Sequence, residues 1–141
     1  MKSSKENWLA EVSWSGENVF IGSDMSGHTV VYDSNDGVMR GIGPMRGVLT
    51  ALGACTGMDI VAILRKRKQK LASLRILLSG ERPDYGLPKP WTSIRIKYVL
   101  SGEKLDKRFV EEAIKDSTEK LCSVGATLQP RAKITHSYEI V

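Results

Sequence analysis

The chain opens on alternating apolar and polar positions. Trp8, Ala10, Val12 and Trp14 occupy every second residue, which places them on one face of a strand running from Trp8 to Trp14. Two more β-rich runs follow, Val19 to Gly22 and His28 to Asp33, and the separators Ser15-Gly16-Glu17-Asn18 and Ser23 to Gly27 carry turn chemistry. The pattern predicts an antiparallel meander. It ends at Asp33-Ser34-Asn35-Asp36-Gly37, and Gly41-Ile42-Gly43-Pro44 leads from there into a helix.

That helix is predicted from Pro44 to Lys68, about 25 residues or roughly 37 Å. Its first two thirds are apolar almost all round, the pattern of a helix enclosed by other elements. Arg65-Lys66-Arg67-Lys68 gather at the end where the helix dipole is negative, and read as a solvated terminus. Gly53 and Gly57 each lower helix propensity by about 1 kcal/mol. Two such residues one turn apart predict close approach of a second helix across a dimer axis.

Strands are predicted next at Ser73 to Glu81 and Thr92 to Ser101. In the second, Ile94, Ile96, Tyr98 and Leu100 alternate with Arg95, Lys97 and Val99, giving one buried and one wet face. The proline-stiffened loop between them, Arg82 to Trp91, is of the kind that borders a pocket. Asp106 is placed to cap a helix from Lys107 to Leu121, with Leu105 and Val110 as a hydrophobic staple and Phe109, Ala113, Ile114, Ser117 and Leu121 as the inward stripe. After a short helical turn, Ser123 to Leu128, Pro130 breaks the run, and Ile134, His136, Tyr138 and Ile140 alternate as a last strand. The order βββ-α-ββ-α-α-β is that of an α+β fold, expected as a single domain over residues 1–141.

Length and composition narrow the function classes. The chain of 141 residues is long enough for one core. Its start, Met1-Lys2-Ser3-Ser4-Lys5-Glu6, is charged and lacks an apolar export core, which predicts a cytoplasmic protein. Val48 to Leu64, the longest apolar stretch, falls short of the roughly 20 residues that cross a bilayer, so no membrane partner is expected. The net charge of +5 is spread along the chain without a recognition motif, which argues against nucleic acid. Two cysteines and two histidines, His28 and His136, lack the short spacing of a structural zinc site, so no metal and no resident cofactor are expected. The histidines read as half-buried strand residues, and Trp8, Trp14 and Trp91 as core or pocket wall.

Candidate chemistry rests on Cys55, inside the small-residue run Ala51-Leu52-Gly53-Ala54-Cys55-Thr56-Gly57, and Cys122, at a helix start. A structural disulfide gains little in a reducing cytosol, so the pair is either inert core filler or a working redox couple. At a helix N-terminus Cys122 would gain acidity; as a packed residue ending the preceding helix it would not. Asp59 lies four residues after Cys55 on nearly the same helix face and reads as structural, bonding a backbone or tryptophan donor. Arg40 and Arg46, the first arginines in the chain, are candidate cations for stabilising a thiolate and a departing alkoxide, against an alternative as ordinary surface charges.

The run from Gly43-Pro44-Met45-Arg46-Gly47 through Gly53-Ala54-Cys55-Thr56-Gly57-Met58-Asp59 to Arg65-Lys66 resembles the first-cysteine helix of the OsmC/Ohr family. Ala113-Ile114 through Glu119-Lys120-Leu121-Cys122-Ser123-Val124 resembles that family's second-cysteine motif. The resemblance extends from Trp8 to Val141. It implies an intertwined homodimer with antiparallel sheets wrapped around two long central helices, and thiol-dependent reduction of organic hydroperoxides. Cys55 is implied as the nucleophile, Cys122 as the resolving thiol, and an external dithiol, lipoyl- or thioredoxin-type, as the reductant.

One departure matters. Where the best-characterised members place a proline followed closely by a glutamate that positions an arginine, this chain has Met45 and Arg46, so the match is nearer the plain OsmC-like branch. A second reading therefore stands beside the peroxidase: a binding protein holding an anionic or phosphorylated apolar ligand, such as an acyl thioester or a nucleotide-bearing thiol, at the dimer interface.

Overall fold

The computed structural model describes residues 7–34 and 37–141. The chain divides between Val48 and Leu49 into two compact units.

The first unit holds an antiparallel meander of three short strands, β1 (Glu11–Trp14), β2 (Phe20–Ser23) and β3 (Thr29–Tyr32), in spatial order β1-β2-β3. Trp14 pairs with Phe20 and Phe20 with Tyr32. After β3 the backbone returns along the sheet: Ile42 bridges Tyr32, and the Ile42 amide donates to Val31 O at 3.0 Å. Gly41 is required at this crossing, since a Cβ there would lie 2.2 Å from the Val31 carbonyl oxygen. The meander is thus as predicted in outline, but its tryptophans are not core. Trp8 and Trp14 are 67% and 68% exposed, and Val12, Phe20, Val30 and Val31 are exposed as well. His28 is also solvent-facing and pairs with Asp24 at 2.8 Å, where a half-buried residue was expected. A three-stranded sheet this short has too little area to bury large rings on its own.

The helix α1 (Pro44–Lys66) begins at the expected proline and ends two residues earlier than predicted, where Lys68 turns to a φ of +56°. By length and composition it is apolar enough to cross a membrane. Its buried residues Leu52, Ile60 and Leu64 nevertheless belong to the core of the second unit, together with Ile94, Ile96, Tyr98 and Leu100. The expectation of burial all round is corrected: Ala51, Ala54, Met58 and Ala62 are exposed, and only part of the helix surface is covered.

The second unit is built on β4 (Lys70–Glu81), β5 (Ser93–Glu103) and β6 (Lys133–Ile140). β4 and β5 pair antiparallel, whereas β5 and β6 run parallel, so this sheet is mixed and the expectation of purely antiparallel sheets is corrected. The cause is connectivity. A helical crossover separates β5 from β6, and such a crossover returns the chain to the same end of the sheet. On β5 the predicted alternation holds, with Ile94, Ile96, Tyr98 and Leu100 buried and Arg95 and Lys97 exposed. The loop before it is pinned by Arg82, whose Nε donates to Lys89 O at 2.6 Å and whose guanidinium lies 5.6 Å from the Trp91 ring centre.

The crossover contains α2 (Lys107–Asp116), a single π-helical turn Ser117–Leu121, and α3 (Ser123–Leu128). Asp106 caps α2 as predicted, accepting the Arg108 amide at 2.9 Å. The predicted regular helix to Leu121 gives way at Ser117 to a wide turn, closed by Cys122 N–H donating to Ser117 O at 2.8 Å. The extra residue in that turn rotates Leu121 out of the expected inward stripe, and it is 51% exposed. Single π turns of this kind recur at functional sites.

Within the chain, Gly53 and Gly57 lie against a strand. A Cβ at Gly53 would lie 2.9 Å from Leu78 Cδ1, and one at Gly57 2.9 Å from Ile76 Cδ1. The missing side chains admit β4, so the close approach they provide is helix on sheet.

Candidate functional site

The second unit brings Cys55 and Cys122 together. The two thiols are near enough for Cys55 to act electrostatically on Cys122, and neither sulfur is in a disulfide. Spacing along the chain left that approach open; the packing of α3 against α1 provides it. Cys122 is 6% exposed and stands at the N-cap of α3, where its sulfur accepts the Gly125 amide at 3.3 Å. Gly125 is buried, and a side chain on it would sit 3.4 Å from that sulfur and 3.6 Å from Leu52.

This position does not make Cys122 acidic. Burial pushes its thiol above the ordinary range, Cys55 and the charge of Asp59 push the same way, and the Gly125 N–H opposes them without prevailing. The expected gain in acidity from a helix start is therefore corrected: one amide donor at a six-residue helix does not offset removal from water. Cys122 is held as the protonated partner.

Asp59 is half-buried and does take a structural bond, though its donor is neither a backbone amide nor a tryptophan. Ser117 Oγ donates to Asp59 Oδ2 at 2.8 Å. The bond belongs to a longer array. Ser117 Oγ lies 2.8 Å from Thr56 Oγ1, which lies 3.1 Å from Tyr98 OH, which lies 2.9 Å from His136 Nδ1. His136 Nε2 is 3.2 Å from Thr118 Oγ1, which donates to Ile114 O at 2.7 Å. Thr56, Tyr98 and Ser117 are each at most 1% exposed. Burial drives the Tyr98 hydroxyl up to about 12 and pushes His136 below its ordinary value. Sequence reasoning placed Tyr98 and His136 only as inward strand residues. The missing signal was their polarity among aliphatic neighbours, because a buried hydroxyl and a buried imidazole each require a partner.

The two candidate arginines lie in the first unit. Arg40 is committed to two carboxylates, pairing with Glu17 and standing 3.5 Å from Asp33 Oδ2, and these contacts raise its pKa further, the Glu17 bond most. Its own amide donates to Asp33 Oδ2 at 3.1 Å, and Asp33 is fully buried. Arg46 is exposed in the first turn of α1. Among the described residues no group of three or more His, Cys, Asp and Glu side chains is placed to hold a metal ion.

The uncovered face of α1 and strand β4 form an open apolar groove of about 640 Å³. Ala54, Met58 and Ala62 line it from the helix and Leu74 and Leu78 from the strand, with Arg65 contributing a cation to its wall.

Comparison with known proteins adds to this geometry. A family model described as OsmC-like protein matches residues 35–137. Protein YhfA of Escherichia coli strain K12 is 36% identical over 132 residues, covering 94% of this chain and 97% of that protein. A crystal structure of a hypothetical protein from Aquifex aeolicus VF5 superposes with a TM-score of 0.84 at 33% identity, over 94% of each chain. An organic hydroperoxide resistance protein OsmC from Legionella pneumophila superposes with a TM-score of 0.69 at 11% identity, covering 97% of this chain and 99% of that one. At that identity the likeness is one of fold.

Proposed function

The chain belongs to the OsmC-like family, and from that membership together with the nearness of its two thiols we propose that it is a peroxidase reducing organic hydroperoxides through Cys55 and Cys122. The Cys55 thiolate attacks the terminal peroxide oxygen. The O–O bond breaks, the alkoxide takes up a proton and leaves as the alcohol, and Cys55 becomes a sulfenic acid. Cys122 then attacks the oxidised sulfur. The S–O bond breaks, water leaves, and the disulfide is reduced to two thiols by an external dithiol.

Cys122 has two tasks in this scheme. Before the peroxide arrives, its protonated sulfur is the hydrogen-bond donor for the Cys55 thiolate; afterwards it resolves the sulfenic acid. The first task supplies support that other members draw from a glutamate-positioned arginine, absent here at Met45 and Arg46. The electrostatic role of Arg40 and Arg46 remains part of the proposal, and charge removal at each tests it. A substrate with an apolar tail suits the aliphatic walls around the cysteine helix.

Assembly as a homodimer is part of the same proposal. Its support is the exposed apolar surface of the first sheet, Val12, Trp14, Phe20, Val30 and Val31, together with the uncovered face of α1. A cytoplasmic setting suits a mechanism that needs reduced thiols.

Intact mass of the non-reduced protein after one equivalent of cumene hydroperoxide tests the reading. Loss of about two mass units, faster than with hydrogen peroxide, is the expected result for one disulfide. Thiols unchanged over hours would sink it. A second reading, a binding protein for an apolar anion, is favoured by one observation, the groove with Arg65 in its wall. It predicts a ligand that copurifies and is seen by native mass spectrometry.

A further inference from the structure

The array from Asp59 to His136 has a direction that follows from counting protons. Each hydroxyl has one to give. With Asp59 as a carboxylate, Ser117 must donate to it at 2.8 Å, as the geometry shows. Ser117 then has only lone pairs for Thr56, so Thr56 donates to Ser117 and Tyr98 donates to Thr56. Tyr98 in turn has only lone pairs for the imidazole at 2.9 Å, so His136 must donate from Nδ1. Five side chains on α1, β5, β6 and the π turn are therefore set in one orientation by a single charge.

The far end is built to match. Thr118 Oγ1 lies 2.7 Å from Ile114 O and 3.2 Å from His136 Nε2, so its hydroxyl can donate to Nε2 of the neutral imidazole and turn to Ile114 O when Nε2 carries a proton. A proton arriving at Nε2 finds an acceptor, so the imidazole can take a charge there without disturbing the bond at Nδ1. Thr118 and His136 also line two spaces at once. One is a void of about 10 Å³ shared with Cys122 and Thr56, near the smallest size that holds one water. The other is an open groove of about 270 Å³ containing Glu111, Lys115, Glu119 and Tyr138. The His136 ring also stacks parallel to Tyr98, with centroids 5.9 Å apart.

We propose that the hydroxyls of Ser117, Thr56 and Tyr98 form a one-directional relay that ties the charge on Asp59, beside the thiols, to the tautomer of His136, at the groove, making His136 and Tyr98 positioning residues for the Cys55–Cys122 pair. The functional meaning of the relay rests on the thiol reading above; its existence does not. Fixed from Asp59, the imidazole keeps its proton on Nδ1. The titratable and charged groups around His136 are Tyr98 from β5, Glu111 and Lys115 from α2, Glu119 from the π turn, Tyr138 from β6 and Cys122 across the void.

The test uses the full chain labelled with ¹⁵N-histidine, where His28, exposed and paired with Asp24, serves as an internal control. Long-range ¹H–¹⁵N correlation spectra at mildly alkaline pH are expected to show His136 as the Nδ1–H tautomer, with the added proton appearing at Nε2 on acidification. An Nε2–H tautomer in the unaltered protein would overturn the relay. Asp59→Ala is expected to release the tautomer while His28 stays unchanged, and Ser117→Ala breaks the same link if the first variant does not fold. A fixed Nδ1–H form in either folded variant would overturn the coupling. The pH profile of thiol alkylation by iodoacetamide is expected to shift in Tyr98→Phe and in His136→Gln; identical profiles in both would overturn the positioning role. Neither readout uses a hydroperoxide, so a protein that passes both and leaves cumene hydroperoxide intact would overturn the peroxidase reading alone.

Discussion

Cys122 accepts the Gly125 amide on its sulfur at 3.3 Å, which holds that thiol at the start of α3 and within electrostatic reach of Cys55 on the cysteine helix. The half-buried Cys55 is the more accessible of the two, and Cys122 is nearly closed to solvent. The proposed roles of nucleophile and resolver follow this difference in burial. Cys55→Ser is expected to bring hydroperoxide turnover down to background, and Cys122→Ser to stop after one turnover with a trapped sulfenic acid. A sulfenic-specific probe with intact mass reads both, and labelling of Cys122 in the Cys55→Ser variant would reverse the assignment.

Stability should fall at alkaline pH because of Cys122. Burial raises its folded pKa above that of the unfolded thiol, so the native state favours the protonated form. This contribution is complete below the unfolded value, near 8.5, and is lost as pH rises through the higher folded value. Denaturant midpoints from about pH 7 to 10 should therefore decline, and Cys122→Ala should flatten the decline. A steeper alkaline loss in that variant would contradict the sign.

Thr56→Val keeps shape and removes the central hydroxyl of the buried array. Ser117 and Tyr98 each lose a partner, at 2.8 and 3.1 Å, in a fully buried setting. The expected cost is about 1–3 kcal/mol by urea unfolding. A neutral result would mean that the array contributes nothing to folding.

Gly57→Ala places a methyl group 2.9 Å from Ile76 Cδ1. Overpacking of this kind costs about 1–3 kcal/mol. Pairing it with Ile76→Val, which shortens the opposing side chain by the methyl in contact, should recover part of the loss. Strict additivity of the two changes in thermal or urea unfolding would show that the helix does not meet the strand here.

What the sequence disclosed follows the range of the forces involved. The alternation of Ile94, Ile96, Tyr98 and Leu100 and the cap at Asp106 are decided within a few residues, and both were legible. The direction of β6 depends on the crossover that precedes it, and the fate of Trp8 and Trp14 on how much sheet is available to cover them. Gly53 and Gly57 pointed to a close approach, read as that of a second helix, and within the chain they admit β4, because the absence of a side chain is the same message to a helix and to a strand. At the site, the cysteines were found from their motifs. Their nearness, the raised Cys122 thiol and the array through Ser117 required side chains far apart in sequence to meet.

The wide turn at Ser117–Leu121 makes chain length here a stricter constraint than composition. Its outer residues Glu119, Lys120 and Leu121 are exposed, so exchange there is expected to cost little. Removing any one of them would restore ordinary helical phase and swing everything downstream by about 100° around the axis. Ser117 would still face Asp59, but the thiol at position 122 would leave its seat near Cys55. Substitution in this segment is therefore cheap and deletion is not, so two thiols separated by dozens of residues are kept in register by one surplus residue in a single turn.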